Sequence, residues 1–402
     1  MTVTVEKGQA CGSVKAPPSK SIAHRMLICA ALSSGSEISN IEYSEDVNAT
    51  LSCLEALGAN VERGKNRVLA GGLDVSHIKD GTVLDCNESG STLRFMIPIC
   101  LLSGKEITLK GSKRLFERPL GIYEDICRSQ GIVFNKGADS LTLCGTLKPG
   151  DFSVPGNISS QFVSGLLFAL PLLKGDSRIT LTGSIESRSY IMLTLKALSD
   201  FGVKAEFSKN AISINGFQKY SSESLSVEGD FSNAAFLDAL GLIGGNVEVT
   251  GLSDGSAQGD RVYKEMFSDL KNGRKKFDLS DCPDLAPIMF ALAAVFGGAE
   301  FSGTERLKIK ESDRAQAMKE ELLKFGIQTE VFENTVSVKG GRLKTPDAVL
   351  SSHNDHRIVM ALTVLSTLTG GVISGAQAVN KSYPGFFSAV KSLKIGIRQN
   401  EA

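Results

Sequence analysis

The sequence predicts an α/β protein of two domains, each assembled from three copies of one βαβ-type unit with additional strands. Two observations carry this. A short apolar strand running into a small residue or glycine returns along the chain, as ISNI at 38–41, ITLKG at 107–111, ITLTG at 179–183, VEVTG at 247–251, FSG at 301–303 and VISG at 372–375; the strand ends fall 70, 72, 68, 52 and 72 residues apart. Inside the copies an amphipathic helix runs into a Leu-Gly or Phe-Gly step and an alternating strand, as at 51–61, 195–205 and 318–329. Six copies in 402 residues exceed one ordinary domain.

Taken in order, Pro17 and Pro18 close any preceding strand, because neither donates a ladder hydrogen bond. Ser19 then reads as an N-cap, and Ile22, Met26, Leu27, Ala30 and Ala31 have the spacing of a buried helix face. The fourth copy is about 20 residues short, with the polar run DLKNGRKK at 269–276 where other copies carry two strands, so a truncated hairpin is expected there. The last copy, from Val372, ends after its helix without closing strands, and residues 1–16, with Val3 and Val5 alternating and with Gly12 and Val14, are expected to supply them. One domain then comprises residues 1–17 with 229–402 and the other residues 18–228, joined by a two-strand hinge at 16–18 and at the polar, Gly-bearing stretch 226–229.

Composition narrows the class. Lys plus Arg equals Asp plus Glu at 44 each, which argues against nucleic-acid or membrane binding through bulk charge. Eight scattered cysteines without a CxxC pair, and four histidines, argue against a zinc site or a disulfide framework and for buried thiols in a reducing compartment. The start of the chain lacks the apolar core of a signal peptide, and the apolar runs at 162–173 and 285–296 are shorter than the roughly 18 residues of a membrane span. A cytoplasmic protein is expected.

Cations recur where helices begin. Lys20 and Arg25 sit in the first turns after Pro18, the end that already carries partial positive charge. Free backbone N–H groups, the hydroxyls of Ser19 and Ser21 and two cations make an anion site; a single such turn reads equally as a solvated basic turn. The pattern returns with Arg94 after Ser89, Gly90 and Ser91, with Arg118 before Pro119 as a first helical residue, with Arg188 after Ser187, with Lys308, Lys310 and Arg314, with Arg357, and with Lys381. If equivalent loops gather at one end of each domain, these cations converge in an interdomain cleft and favour a small, multiply charged anion bearing phosphate and carboxylate groups. Asp284, before the apolar helix at 288–295, reads as an N-cap or as an acid–base group. Glu311 reads as a surface partner of Arg314 or Lys308, or as the second member of an acid–base pair. Ser159, Ser160 and Gln161 are a capping cluster or neutral ligand donors, Tyr190 is core or ligand contact, and His356 beside Asp355 is a structural hydrogen-bonder.

PSKSIAHR at 18–25, SGSTLR at 89–94, ERP at 117–119, SSQ at 159–161, KESDR at 310–314, NDHR at 354–357 and KSYP at 381–384 resemble, in order and over essentially the whole chain, the EPSP synthases (3-phosphoshikimate 1-carboxyvinyltransferases). The resemblance implies two inside-out α/β domains of three βαβαββ units each. It implies transfer of the enolpyruvyl group of phosphoenolpyruvate to the 5-hydroxyl of shikimate 3-phosphate, with no metal or organic cofactor and no macromolecular partner; a monomer is expected. It assigns Lys20, Ser21, Arg25, Ser159, Ser160, Gln161, Ser187, Tyr190, Asp284 and Lys310 to shikimate 3-phosphate. Lys20, Gly90, Arg118, Gln161, Arg314, Arg357 and Lys381 are assigned to phosphoenolpyruvate. Arg94 matches a motif arginine without a ligand contact. Ser91 stands where the family usually has threonine, Glu88 where asparagine is common, and Arg306 where many members have asparagine.

The chemistry asks for an acid at C3 of phosphoenolpyruvate and a base at the 5-hydroxyl, with the roles reversed in the elimination. Glu311 is expected at C3, Asp284 at the hydroxyl, and Lys20 and Lys381 at the phosphate. Two other functions remain open at this point. One is enolpyruvyl transfer to UDP-N-acetylglucosamine, whose family opens with Lys-Asn where this chain has Lys20-Ser21 and generally uses a loop cysteine that the stretch LFERP at 115–119 lacks. The other is a non-catalytic anion-binding protein.

Overall fold

The structure is a computed structural model and describes residues 1–400. It divides into two compact units, Met1–Pro17 with the chain from Glu228 onward, and Pro18–Val227. Each has its own apolar core.

In the unit Pro18–Val227 three four-stranded sheets repeat one pattern: a parallel edge pair, then two antiparallel pairings. Thr82–Asp85 runs parallel to Ile107–Lys110, which pairs antiparallel with Ser140–Cys144, and that with Val133–Lys136. Asp151–Pro155, Ser177–Thr182, Ala211–Ile214 and Ala205–Ser208 repeat it. In the third sheet the parallel edge strand is Ser224–Ser226, which joins Ser36–Ser39, Arg67–Gly71 and Asn60–Arg63. The end of the unit thus closes on its beginning, and the stretch read as a mere junction at 226–229 begins as the last residue of a strand.

The sheets lie outside and the helices inside. Along Ser140–Cys144 the inward Leu141 and Leu143 are buried while their neighbours are partly solvated, the alternation of a sheet with one wet face. The helices Gly90–Cys100 and Ser160–Ala169 are buried at every position except Ser91 and Gln161. A helix apolar on all sides belongs in a core, not on a surface.

The other unit has the same logic with a shortened member. Residues 286–294 of the helix Ala286–Val295 have no exposed surface, and the helices Phe231–Leu242 and His356–Thr369 are almost as enclosed. Lys276–Asp278, Gly298–Ser302, Thr335–Lys339 and Thr329–Val331 form one standard sheet. Leu350–Ser351, Gly371–Ser374, Thr2–Val5 and Ile397–Asn400 form the second. Asn246–Thr250 has a single partner, the parallel strand Cys11–Lys15.

Three expectations are corrected here. Val3 and Val5 do enter the last sheet, but Gly12 and Val14 pair with the fourth copy instead. The last copy also brings its own closing strand, Ile397–Asn400. No hairpin forms at 269–276: the run finishes the helix Tyr263–Lys271, turns at Gly273 (φ 96°), and enters the edge strand of the next sheet. Of residues 269–278 only Leu270 and Phe277 are buried, so a second strand there would have had no inward face to cover. Among the described residues no helix is long and apolar enough to cross a membrane.

The N-terminal strand is hydrogen-bonded on both sides and Val3 is fully buried in it. Val3→Asp therefore leaves an unpaired charge inside the second core and is expected to cost more than about 4 kcal/mol. Urea unfolding followed by circular dichroism measures this, since the chain has no tryptophan to report it.

Candidate functional site

The enclosed helices carry polar chemistry at their ends, and in each unit several N-termini meet. In the unit Pro18–Val227, Lys20 is the first residue of the helix Lys20–Leu32, and its Nζ lies 2.6 Å from Asp46 Oδ2 at the start of the helix Glu45–Ala56. Asp46 offsets a cation placed at the unfavourable end of a helix. Ser19 stands at the N-cap position, but its side chain makes no capping bond, unlike Ser44 of the next helix. Ser21, beside Lys20, is half-buried, and its carbonyl accepts from Arg25 Nη1 at 2.7 Å.

Arg25 is 2% exposed and spends its guanidinium on the protein. Nε donates to Thr194 Oγ1 (2.8 Å) and Nη2 to the Tyr190 carbonyl (3.2 Å), and the group lies over the rings of Phe95 and Tyr190. Burial lowers its pKa to about 10, so it stays charged at neutral pH. Tyr190 is consequently both core and site neighbour. Ser187 takes a left-handed conformation (φ 53°) just before the helix Arg188–Asp200.

Gly90 opens the helix Gly90–Cys100 after the Ser89 cap. The Arg118 guanidinium lies against it: a methyl group at position 90 would sit 2.7 Å from Arg118 Cζ, so only glycine leaves this arginine in place. Arg118 is 7% exposed and its buried Nε makes no hydrogen bond. It ends the short helix Lys113–Glu117; the next helix starts at Gly121, so Pro119 is not a first helical residue as expected. Gln161 links two of these ends, accepting from Arg94 Nη1 (2.7 Å) and donating to Ser91 Oγ (2.9 Å). Arg94 in turn holds the Pro119 carbonyl (3.0 Å), which is how a motif arginine without an assigned ligand serves the cluster. Ser159 caps the helix that Ser160 opens, accepting from the Gln161 N–H. A buried hydroxyl chain, His24 Nδ1 to Thr50 to Thr92, each step 2.7 Å, ties the Lys20 and Gly90 helices together. Burial first, then Lys20 and Arg25, hold the His24 imidazole well below its usual pKa and neutral.

The second unit centres on Arg314, the first residue of the helix Arg314–Lys324 and 1% exposed. Its Nε donates to Asp355 Oδ2 (2.8 Å), Nη1 to Asp284 Oδ1 (2.7 Å) and Nη2 to Glu311 Oε2 (2.8 Å). Asp284 also takes Lys310 (3.3 Å) on Oδ1 and Arg357 Nη2 (3.0 Å) on Oδ2. Asp355 caps the helix His356–Thr369 through the Arg357 N–H. Three helix starts are thereby locked together by one guanidinium.

Asp284 is not an N-cap: it lies in the turn Pro283–Leu285 before the helix Ala286–Val295. The Glu311–Arg314 pair is buried on the arginine side rather than superficial, and Lys308 pairs with Glu305 instead. Lys381 ends the 3-10 helix Ala376–Lys381 and does not start the helix Phe386–Ser392; its Nζ donates to the Asn354 carbonyl (2.6 Å). Arg306 donates to the Ser280 carbonyl. His356 is buried beside Asp355, but its Nδ1 lies 3.8 Å from Asp355 Oδ1, so it is not the structural hydrogen-bonder expected; their contact is electrostatic.

The charges order by depth. Asp355 is fully buried and Arg314 nearly so, whereas Asp284, Glu311 and Lys310 keep 17%, 18% and 24% of their side chains exposed. Burial alone would raise the Asp284 carboxyl, but Arg357, Lys310 and Arg314 together hold it well below the usual carboxylate range. Burial lowers the Lys310 ammonium, against the pull of Asp284. The same contest at Asp355 is won by Arg314. Sequence reading passed over two members of these clusters, Asp46 and Asp355. Each sits in a helix-start pattern that also serves plain capping, so only the contact distinguishes them.

Removing the central cation reverses a sign. In the parent, the depressed carboxyl pKa values contribute stability above the unfolded value near 4, lost as pH falls through the folded values. In Arg314→Leu, Asp355 is left buried with its pKa raised, so stability should instead fall as pH rises above about 4. The variant should lose about 3–5 kcal/mol at neutral pH. Urea midpoints from pH 3 to 8 for both proteins test this, and parallel profiles would refute it.

Comparison with known proteins places this geometry. Residues 5–390 match the family EPSP synthase (3-phosphoshikimate 1-carboxyvinyltransferase). The chain is 42% identical to the 3-phosphoshikimate 1-carboxyvinyltransferase of Clostridium kluyveri, with 95% of each chain covered, and 41% identical to that of Clostridium novyi, with 94% and 93% covered. Its fold matches the solved EPSP synthase of Acinetobacter baumannii with a TM-score of 0.80 at 22% identity, covering 99% of this chain and all of the other. It also matches the enolpyruvyl transferase NikO of Streptomyces tendae with a TM-score of 0.75 at 14% identity, covering 100% and 99%. With two separate clusters of helix-start cations and a match running almost from end to end, the chain belongs to the EPSP synthase family.

Proposed function

We propose that this protein transfers the enolpyruvyl group of phosphoenolpyruvate to the 5-hydroxyl of shikimate 3-phosphate, releasing phosphate. The observation that carries the residue roles is the Arg314 network, which holds two partly exposed carboxylates, Asp284 and Glu311, among Lys310 and Arg357. The assignment draws on both units, residues 18–228 and residues 1–17 with 229–402, as the two domains.

Lys20, Ser21, Arg25, Ser159, Ser160, Gln161, Ser187 and Tyr190 form the shikimate 3-phosphate side, with Asp284 and Lys310 at the ring hydroxyls. Arg25 acts there mainly through position, since its donors already serve Thr194, Ser21 and Tyr190. Lys20, Gly90, Arg118, Gln161, Arg314, Arg357 and Lys381 form the phosphoenolpyruvate side. The buried, unbonded Nε of Arg118 is the feature there that most needs an anion. Glu311 gives a proton to C3, making C2 cationic, and Asp284 takes the proton of the attacking 5-hydroxyl. The tetrahedral adduct then expels phosphate as C3 gives up a proton to the group that supplied it. Lys20 and Lys381 stabilise charge on the leaving phosphate. The reading includes a monomer in the cytoplasm, where phosphorylated substrates that do not cross membranes are retained.

Phosphate release from phosphoenolpyruvate is expected with shikimate 3-phosphate and not with UDP-N-acetylglucosamine; the reverse pattern would replace the acceptor. Asp284→Ala and Glu311→Ala should each slow turnover by roughly 10²–10⁴-fold. Retention of turnover within about tenfold in both variants would reject the acid–base assignment.

A further inference from the structure

The mechanism leaves one buried carboxylate unused. Glu321, in the last turn of the helix Arg314–Lys324, is 1% exposed. Its Oε1 takes His353 Nε2 at 2.9 Å and its Oε2 takes the Ser351 N–H at 3.0 Å, with Lys324 Nζ bridging both oxygens at 2.9 and 3.0 Å. Lys324 also reaches the Val349 carbonyl (3.1 Å). Burial pushes the Glu321 carboxyl up, but His353 and Lys324 hold it below the usual range. An ionised carboxylate only accepts, so the proton shared with His353 resides on Nε2.

These bonds end on an unusual turn. The Asp355 N–H bonds the Ser352 carbonyl (2.9 Å), and the two residues between, His353 and Asn354, both have positive φ, 47° and 55°. That is the pattern of a turn built from glycine, asparagine and aspartate; Asn354 and His353 enter it more readily than most side chains, though not as freely as glycine. The turn delivers the Asn354 carbonyl to Lys381 Nζ and leads straight into Asp355, the partner of Arg314, and Arg357. Within the turn the Ser351 and Ser352 hydroxyls accept from the His353 and Asn354 N–H groups (3.1 Å each), and Glu321 adds a restraint from outside it.

We propose that Glu321 is a positioning residue for the reaction: it pins the 351–354 turn in its left-handed form and thereby sets Lys381, Asp355 and Arg357. This rests on the assignment of Lys381 and Arg357 to phosphoenolpyruvate. Glu321→Gln keeps the shape of the side chain, but the Ser351 N–H and His353 Nε2 bonds end on different oxygens, and one of these becomes an NH2 group that only donates.

The test compares the parent, Glu321→Gln and Glu321→Gln/Asn354→Gly. In the single variant, amides 352–355 should exchange hydrogen at least about tenfold faster. The KM for phosphoenolpyruvate should rise roughly tenfold, with that for shikimate 3-phosphate changed less than about twofold. The added glycine accepts positive φ without strain, so it should reverse most of both effects. A merely structural role would lower the unfolding midpoint and raise both KM values alike, with no recovery from Asn354→Gly; that result, or unchanged exchange, overturns the proposal. His353→Gln, which removes one of the pinned contacts, should show the same selectivity more weakly if Glu321→Gln folds poorly, and a non-selective effect there also overturns it. A parent that turns over no phosphoenolpyruvate defeats the functional reading, and the exchange data then decide alone whether Glu321 holds the turn.

Discussion

A helix buried on every side can carry a charge along its length only where the protein pairs it, and this constraint shapes both units. The helices Gly90–Cys100, Ser160–Ala169, Ala286–Val295 and His356–Thr369 have almost no solvated face; Arg94 is held inside the first by Gln161 and the Pro119 carbonyl, and the other charged groups of these helices stand at or near their starts. N-terminal ends bring unpaired backbone N–H groups and partial positive charge. Adding Lys20, Arg314 and Arg357 there would be unfavourable without counter-charge. Asp46, Asp284, Glu311 and Asp355 supply it within each unit.

The two clusters solve the same problem differently. Beside Lys20 the carboxylate is Asp46, and around it the restraint comes largely through neutral acceptors: the Thr50–Thr92 hydroxyl chain, Gln161 between Arg94 and Ser91, and Thr194 under Arg25. Around Arg314 the restraint is ionic, with one guanidinium bonded to three carboxylates from three helix starts. A planar fork with five donors suits that task, and a lysine would not reproduce it. Arg314 is 1% exposed and its donors hold Asp355, Asp284 and Glu311, so what the structure shows it doing is placing those carboxylates.

The repeat was legible in the sequence because each copy must end a strand, turn on a small residue and start an amphipathic helix, and those demands recur at a nearly constant interval. The exchange of strands at the termini was only half legible. Val3 and Val5 alternate wherever they go, and nothing in CGSVK at 11–15 says whether its parallel partner is the fourth copy or the last. Lys20, Arg314 and Arg357 were legible as misplaced charges, since a lysine or arginine at a helix start has no propensity reason to be there, whereas Arg118 and Lys381 stand at helix ends. Their partners were not: Asp355 and Asp46 look like ordinary N-terminal acids, and Glu321 sits in an alternating-charge helix, KEELLK at 319–324, that reads as a solvated face. Burial, which the local pattern does not encode, separates a structural acid from a surface one.

The electrostatics also bear on when the acid–base pair is active. The cations around Asp284 depress its carboxyl, which makes it a poor base. The same cations, Arg357 and Lys310, are those that the proposed assignment gives to the anionic substrates. On that assignment a bound phosphate or carboxylate would share Arg357 and Lys310, leaving burial, which raises the Asp284 carboxyl, opposed by Arg314 at 2.7 Å, which still lowers it. Base strength is therefore coupled to occupancy through shared cations. The fold stabilises its helix ends with carboxylates, and on the proposed assignment the substrates would take over part of that role. Asp284, as the proposed proton acceptor, would then strengthen while its bond to Arg314 stays in place.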